Sequence, residues 1–320
     1  MFDPIKASKE IKDSYIDYIT TTFDMADTDY EREFRKELQT DGMVASGPFL
    51  DIGGSYETGH TLRELIQAQK ASILFENLEP VAEKERELKL DRPLYQHQET
   101  AMLKAGKGEN LVITTGTGSG KTESFLLPII NHLLREQEAG TLSAGVRAII
   151  IYPMNALAND QMKRMRALFK NYPQICYGVY NGNTEHTQSK ALAEYHRTYH
   201  DEAGEPTDPA PNEIISREVM QERPPHILIT NYSMLEYMML RPKDDAVFSG
   251  AKLKFIVLDE AHIYKGATGM ETSLLMRRLR ARISEPDSVQ YILTSATLGG
   301  PDADGDILSF AEKLCGVAFQ

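Results

Sequence analysis

No apolar stretch of the roughly eighteen residues that a membrane-crossing helix requires occurs anywhere in the 320 residues. The opening residues, MFDPIKASKEIKD, carry no apolar segment behind a basic one, which argues against a secretory signal. Cysteine is scarce. Cys176 and Cys315 are the only two, too far apart in sequence for a local metal knuckle, and they point to a reducing compartment. These absences make a cytoplasmic protein the expectation. A surplus of basic charge is missing as well: 35 Lys and Arg stand against 47 Asp and Glu, a net of −12. Proteins that hold nucleic acid draw largely on Lys and Arg. The distribution softens that objection, because residues 1–91 hold 20 acidic and 11 basic side chains while residues 92–320 hold 27 and 24. The acidity belongs to the front, and a nearly neutral remainder can still meet a phosphate backbone through amides and helix ends. A hydrophobic content of 41% with 26% charged residues is that of a globular chain able to bury a core.

The most informative stretch runs from Leu111 to Glu123, LVITTGTGSGKTE. Leu111–Thr114 reads as a buried parallel strand, and an apolar helical run follows Thr122. Glycines at 116, 118 and 120 let the chain turn tightly and aim N–H groups inward. The helix opened by Lys121 and Thr122 favours an anion at its N-terminus. This is a phosphate loop, in which Lys121 reaches the outer phosphates of a nucleotide and Thr122 offers its hydroxyl to Mg²⁺. The strict G-x-x-x-x-G-K-[ST] pattern has Thr115 at its first position. The nucleotide-contacting residues read from this segment are Thr115, Gly116, Thr117, Gly118, Ser119, Gly120, Lys121, Thr122 and Glu123. Upstream, LYQHQ brings Tyr95 and Gln98 close to the loop's strand; a glutamine amide offers the acceptor and donors that an adenine edge needs.

Around this segment the chain reads as follows. Residues 1–91 form an acidic, mainly helical extension. IKDSYIDYITTTF places Ile11, Tyr15, Tyr18 and Ile19 on one helical face, and DYEREFRKEL does the same for Phe34 and Leu38. Residues 42–60 are glycine-rich and extended. TLRELIQAQKASILFENL predicts one helix with Leu62, Leu65, Ile66 and Ile73 inward. From residue 92 onward, strands near 111, 146, 175, 227, 253 and 289 alternate with helices, the sign of a parallel sheet covered on both faces. Residues 184–225 break the alternation and read as a surface insertion. Its His186, His196 and His200 invite a metal, but H-R-T-Y-H lacks the glutamate of the zinc-protease pattern, so a solvated helix is the expectation.

KLKFIVLDEAH ends a buried strand with Asp259 and Glu260, and VQYIL delivers Thr294-Ser295-Ala296-Thr297 in the same way. Open α/β sheets gather their chemistry at such strand ends. Asp259 suits the metal's water shell. Glu260 suits the attacking water, because successive residues past a strand end point in different directions. His262 is placed to sense the γ-phosphate and to pass a hydrogen bond to Ser295 or Thr297. The catalytic residues on this reading are Lys121, Asp259, Glu260 and His262, with Thr122 and Asp259 on the metal, and the cofactors are ATP and Mg²⁺.

TGTGSGKT, DEAH and SAT in this order resemble the first domain of a superfamily 2 DEAD/DEAH-type helicase, and LYQHQ resembles its adenine-reading segment. YPMNALANDQ, TNYSML and DEAHIYKGATGMETSLLMRRL resemble, more narrowly, large bacterial and archaeal helicases that often carry a C-terminal zinc-binding region, several of which act in DNA repair or antiphage defence. The resemblance covers about residues 92–300. It implies a RecA-like P-loop NTPase fold over 92–320 and a single-stranded or partly duplex DNA partner, with RNA an alternative. It assigns strand contacts to Asn155, Asn181, Gly182, Thr230 and Asn231, and coupling to Ser295 and Thr297. It also implies a second RecA-like domain, for which nothing after Thr297 leaves room, and repair or defence partner proteins. Two other readings stand beside it. One is a P-loop kinase or small-molecule ATPase, which DEAH followed by SAT opposes; the other is a nucleotide-gated binding module completed by a partner.

Overall fold

A computed structural model describes residues 3–23, 25–47, 49, 56–78, 88–116, 118–201, 204–296 and 304–319. The chain forms two compact units, residues 1–55 and 56–320.

In the first unit, α1 (Pro4–Thr22) starts at Pro4 under an Asp3 cap that accepts from the Ile5 and Lys6 N–H groups. Asp27 caps α2 (Thr28–Gln39) in the same way. The two helices pack together, with Arg35 paired to Asp17. The inward line of α1 is Ile16 and Thr20. Ile11, Tyr15 and Tyr18 do share a face, but that face is exposed. Apolar periodicity alone does not say which side of this helix is inward.

The second unit opens with β1 (Thr58–Thr61), which pairs antiparallel with β2 (Pro93–Tyr95). Between them lies α3 (Leu62–Gln67), started by a reciprocal Thr61–Glu64 capping box. The single helix expected over 61–78 does not form. Gln69 takes a left-handed conformation (φ 57°), Lys70 N–H bonds Leu65 O and Gln69 N–H bonds Ile66 O, a closure that ends a helix. The chain then turns so that Ser72 N–H reaches Asn131 Oδ1, and a 3₁₀ segment over Ile73–Leu78 points Phe75 and Leu78 inward while Ile73 faces solvent.

Next come α4 (Gln96–Gly106), β3 (Leu111–Thr114), α5 (Lys121–Glu138), β4 (Ala148–Ile151) and α6 (Asn155–Phe169). They are followed by β5 (Tyr177–Tyr180), α7 (Gln188–Thr198), α8 (Arg217–Glu222), β6 (Ile227–Thr230), α9 (Tyr232–Leu240) and the single turn α10 (Asp245–Phe248). The unit closes with β7 (Phe255–Leu258), α11 (Gly266–Arg282), β8 (Gln290–Ser295) and α12 (Asp304–Cys315). Six of the strands form one parallel sheet in the order β3-β8-β7-β4-β6-β5. Alternate residues feed two apolar layers, as the pleat requires. Ile113, Ile150, Val257 and Ile292 face the layer shared with α4, α5 and α6. Ile149, Ile256, Leu258 and Leu293 face α9, α11 and α12. Both faces are covered, which is why these strands read as continuous apolar runs.

Residues 212–220 depart from the surface reading of the insertion. Tyr177 exchanges backbone hydrogen bonds with Asn212 and Ile214 along the free edge of β5, and Asn212 Nδ2 serves the carbonyls of Phe169, Tyr172 and Ile175. Asn212, Ile214, Ser216, Arg217 and Met220 are all buried. This segment covers a sheet edge that would otherwise be open to another chain.

Candidate functional site

The strand order sorts the functional segments into two groups. β3, β8 and β7 are neighbours, and their C-terminal ends carry the phosphate loop, Ser295 and Asp259-Glu260. β4, β6 and β5 are also neighbours, and theirs carry Asn155, Asn231 and Asn181-Gly182.

In the first group, Thr114 lies beside Ser295, and Thr115 N–H continues the ladder to Ser295 O at 3.3 Å. Gly118 and Gly120 are left-handed (φ 76° and 74°). At Gly120 a Cβ would also meet Gln98 Nε2 at 2.4 Å, so glycine is needed there twice over. Ser119 is fully buried, its hydroxyl donating to Thr115 Oγ1 at 2.7 Å. The loop is clasped from α4. Gln98 accepts from Tyr95 N–H at 2.9 Å and donates to Gly120 O at 3.0 Å, while His97 Nε2 meets Ser119 O at 3.0 Å. Burial draws the His97 imidazole below its ordinary pKa, so the neutral ring serves as that donor. Tyr95 stacks on His97 with ring centres 5.7 Å apart, and Tyr56 tilts against both.

Lys121 is mostly buried, and its Nζ has no hydrogen-bond partner; Glu260 Oε1 lies 3.8 Å away. Glu260 is itself held in the left-handed region (φ 50°), sparsely populated for a residue with a side chain and a form of strain that collects at active sites. Its Oε2 stands 3.3 Å from His262 Nδ1 without hydrogen-bond geometry, and the same Nδ1 lies 3.1 Å from Ser295 Oγ. Thr294 ties the carboxylates down, since its hydroxyl contacts Asp259 Oδ1 and accepts from Glu260 N–H at 3.3 Å. Burial, then the charge of Glu260, raises the Asp259 pKa against the lowering bond from Thr294. Glu123 pairs with Arg164 from α6.

The ammonium of Lys121, mostly buried, without a hydrogen bond and with Glu260 Oε1 3.8 Å away, is the test of whether a nucleotide fits here. A buried cation that makes no hydrogen bond is costly, and a phosphate is a partner that supplies one. Lys121 beside the left-handed glycines of the loop fits a nucleotide's phosphates, with the Asp259 carboxylate on the neighbouring strand end.

In the second group the polar side chains satisfy one another. Asn231 Nδ2 donates to Asn155 Oδ1 at 2.8 Å, and Asn231 Oδ1 caps α9 by accepting from Met234 N–H at 2.7 Å. Asn181 accepts from Asn183 N–H, and Arg217 Nη2 holds the turn through Asn181 O at 2.8 Å and Gly182 O at 3.3 Å. Thr230 is 1% exposed and spends its hydroxyl on Tyr180 O at 2.7 Å, inside the sheet. Thr117 and Thr297 lie outside the described residues. The sequence reading did not single out Thr294, His97, Tyr56, Arg164 or Arg217. Thr294 and His97 adjoin residues it did choose, whereas the partners of Arg164 and Arg217 lie too far off in sequence for any local signal. His196 pairs with Asp208 at 2.7 Å, and among the described residues no three His, Cys, Asp or Glu side chains cluster to hold a metal.

Fold and site together define a RecA-like nucleotide-binding domain with a phosphate loop, an acid pair and a serine-threonine strand end on adjacent strands. Residues 95–202 and 203–304 match the family model of the DEAD/DEAH box helicases, and the chain belongs to that family. It is 33% identical to the Druantia protein DruE of Escherichia coli (strain UMEA 4076-1), a match that covers 97% of the chain and 21% of that protein. The chain thus spans about a fifth of that relative's length. Among solved structures, the DUF1998 helicase MrfA bound to DNA and AMPPNP aligns with a TM-score of 0.56 at 23% identity, over 83% of this chain and 30% of that one. The DEAD-box helicase Mss116 bound to ssRNA and UDP-BeF aligns with a TM-score of 0.59 at 18% identity, over 81% and 44%. Both likenesses are of fold. No helix among the described residues is long and apolar enough to cross a membrane.

Proposed function

We propose that this chain is the first ATP-binding domain of an ATP-dependent helicase or translocase that couples ATP hydrolysis to movement on DNA. The observation that carries this reading is the buried Lys121 ammonium facing Glu260, three strands along the same sheet edge from a run of uncharged asparagines. Lys121 grips the outer phosphates. Mg²⁺, held through Thr122 and Asp259, neutralises phosphate charge when bound. Glu260 orients the attacking water and accepts its proton. His262, within reach of both Glu260 and Ser295, changes partner when Glu260 turns to that water and so carries the nucleotide's state to β8. Gln98 spends its buried amide on Tyr95 N–H and Gly120 O, and His97 meets Ser119 O, so both clasp the phosphate loop, and a loop-holding role replaces the adenine-reading role expected of Gln98.

Asn155, Asn231, Asn181 and Gly182 meet the strand's phosphates through short uncharged groups and helix-start N–H groups, which do not discriminate bases. The support for DNA comes from MrfA, solved with it; Mss116, solved with ssRNA, makes RNA the other outcome. A second RecA-like domain in the longer protein supplies the arginines that complete the site. Such arginines are worth ~10³–10⁵ in rate in related phosphoryl transfers. The test is turnover of the 320-residue chain and of the complete protein, each with and without single-stranded DNA and RNA. The expected outcome is ATP binding by both and DNA-stimulated hydrolysis by the complete protein only. Turnover near 1 s⁻¹ from the shorter chain, roughly that of an ordinary enzyme, contradicts the missing-arginine account. Stimulation by RNA alone contradicts the DNA assignment.

A further inference from the structure

On the opposite edge of the sheet, where the strands begin, lies a cavity of about 480 Å³ between the end of α4, the second half of α5 and the starts of β7 and β8. Among the described residues its lining includes Lys70, Lys107, His132, Arg135 and Lys254 and no carboxylate. In a chain of net charge −12 that is a marked local inversion. These cations are also not spent on each other's neighbours. Nearby Lys104 pairs with Glu109 at 3.8 Å, whereas Lys70 and Lys107 have no ion-pair partner among the described residues. Arg135 donates to Gln69 O and Lys254 to Ser288 O, both neutral carbonyls. Of the cavity's cations, only His132 leans on an acid among the described residues, Glu136, at 3.5 Å. Burial draws the Lys254 ammonium below its ordinary pKa.

A second observation is independent of charge. Gln290, 2% exposed, donates its Nε2 to Ala105 O at 2.8 Å, while its Oε1 is buried at the cavity without any hydrogen-bond partner. A buried amide oxygen left unpaired is costly, and pairing it calls for a donor hydrogen. The cavity thus asks for two things at once, an anion at its rim and a hydrogen-bond donor at its floor. Its volume is that of a small-molecule site.

We propose that this cavity is a second ligand site, taking a small phosphorylated molecule of the nucleotide class. The phosphate is held by Lys70, Lys107, Arg135 and Lys254, and a hydroxyl or amine hydrogen is donated to Gln290 Oε1. It is distinct from the ATP site. His132 lies eleven residues along α5 from Lys121, roughly 16 Å at the helical rise.

The test uses the chain carrying Lys121→Ala, which weakens the main phosphate site, titrated calorimetrically with AMP and separately with inorganic pyrophosphate at low salt. One AMP is expected to bind, with at least a tenfold loss of affinity on adding Lys70→Glu and Lys107→Glu. Both positions are exposed, so these changes leave the fold intact, which circular dichroism verifies. Gln290→Leu is expected to weaken AMP more than pyrophosphate; because it is buried, it is read only where its melting profile matches the parent. AMP affinity untouched by the double charge reversal, or no binding at millimolar AMP, overturns the site. Equal effects of Gln290→Leu on both probes overturn the donor half of the assignment.

Discussion

The two halves of the sheet's C-terminal edge are built on opposite principles. At the ends of β3, β8 and β7 the side chains are charged, buried and imperfectly paired: Lys121 Nζ, Glu260 Oε2 and Glu123 Oε2 all lack hydrogen-bond partners. At the ends of β4, β6 and β5 they are uncharged and mutually bonded, Asn231 to Asn155 and to the α9 backbone, Thr230 to Tyr180 O. A ligand with concentrated, fixed charge rewards a site that holds its counter-charges ready, because orienting them in advance removes that cost from binding. A strand that must slide rewards the reverse, since weak neutral contacts give orientation without a deep well. One edge thus keeps unpaired charge at one half and satisfied neutral groups at the other, and on the proposed function the first half serves catalysis and the second tracking.

That contrast can be broken most directly at Glu260. Glu260→Gln keeps the size and hydrogen bonding but cannot accept a proton. Turnover of the complete protein is expected to fall by about 10²–10⁴, with ATP affinity within a few-fold of the parent. Steady-state turnover beside calorimetric titration separates the two, and parallel loss of both assigns Glu260 to binding.

Lys121→Ala comes next. It removes a charge-assisted contact to phosphate of about 1.5–3 kcal/mol, a loss of roughly 10- to 100-fold in ATP affinity. Because the ammonium is mostly buried and its charged neighbour Glu260 Oε1 stands 3.8 Å off without a hydrogen bond, the same change is expected to leave the nucleotide-free melting temperature unchanged or raised. A clear fall in that temperature places Lys121 among structural residues and removes the contrast.

The satisfied half predicts the mirror image. Asn231→Ala loses both a helix cap and the bond to Asn155, and is expected to destabilise the fold by about 1–2 kcal/mol in urea titrations. Oligonucleotide affinity falls with it, while ATP affinity stays.

The smallest effect is one of pH. His226 precedes β6; its Nδ1 accepts from Cys176 N–H at 2.9 Å and its Nε2 reaches Ser143 O at 3.2 Å, which fixes the neutral ring. Burial, then Arg147, lowers its pKa below the ordinary imidazole value. A depressed imidazole leaves stability intact above the unfolded pKa of about 6.5; it is lost as pH falls below that value, where the unfolded chain takes up the proton first. Melting followed from pH 7.5 downward should show this loss, and the loss should shrink in His226→Gln.

How much of this could be read beforehand depends on the range of the interaction. The phosphate loop, the acid pair and the six strands are carried by residues adjacent in sequence, so the site and the parallel sheet were legible. Strand order was not, because neighbours such as β3 and β8 meet through residues as distant as Thr114 and Ser295. The break after α3 escaped because Gln69, with no glycine to announce it, takes the left-handed turn. The buried half of the insertion escaped because its polar Asn212 and Arg217 look solvated until three carbonyls of the 169–175 turn and the 181–182 turn are placed beside them. Which face of α1 turns inward was not legible, because Tyr15 and Tyr18 match the helical period as well as Ile16 does.

The division of the edge is tested most directly by a paired crosslinking map of the complete protein, one photoreactive probe being an ATP analogue and the other a short single-stranded oligonucleotide. The account predicts nucleotide adducts within residues 95–123 and oligonucleotide adducts near 155, 181–182 and 231. Oligonucleotide adducts confined to residues 1–55, or overlapping those of the nucleotide around 115–123, would contradict it.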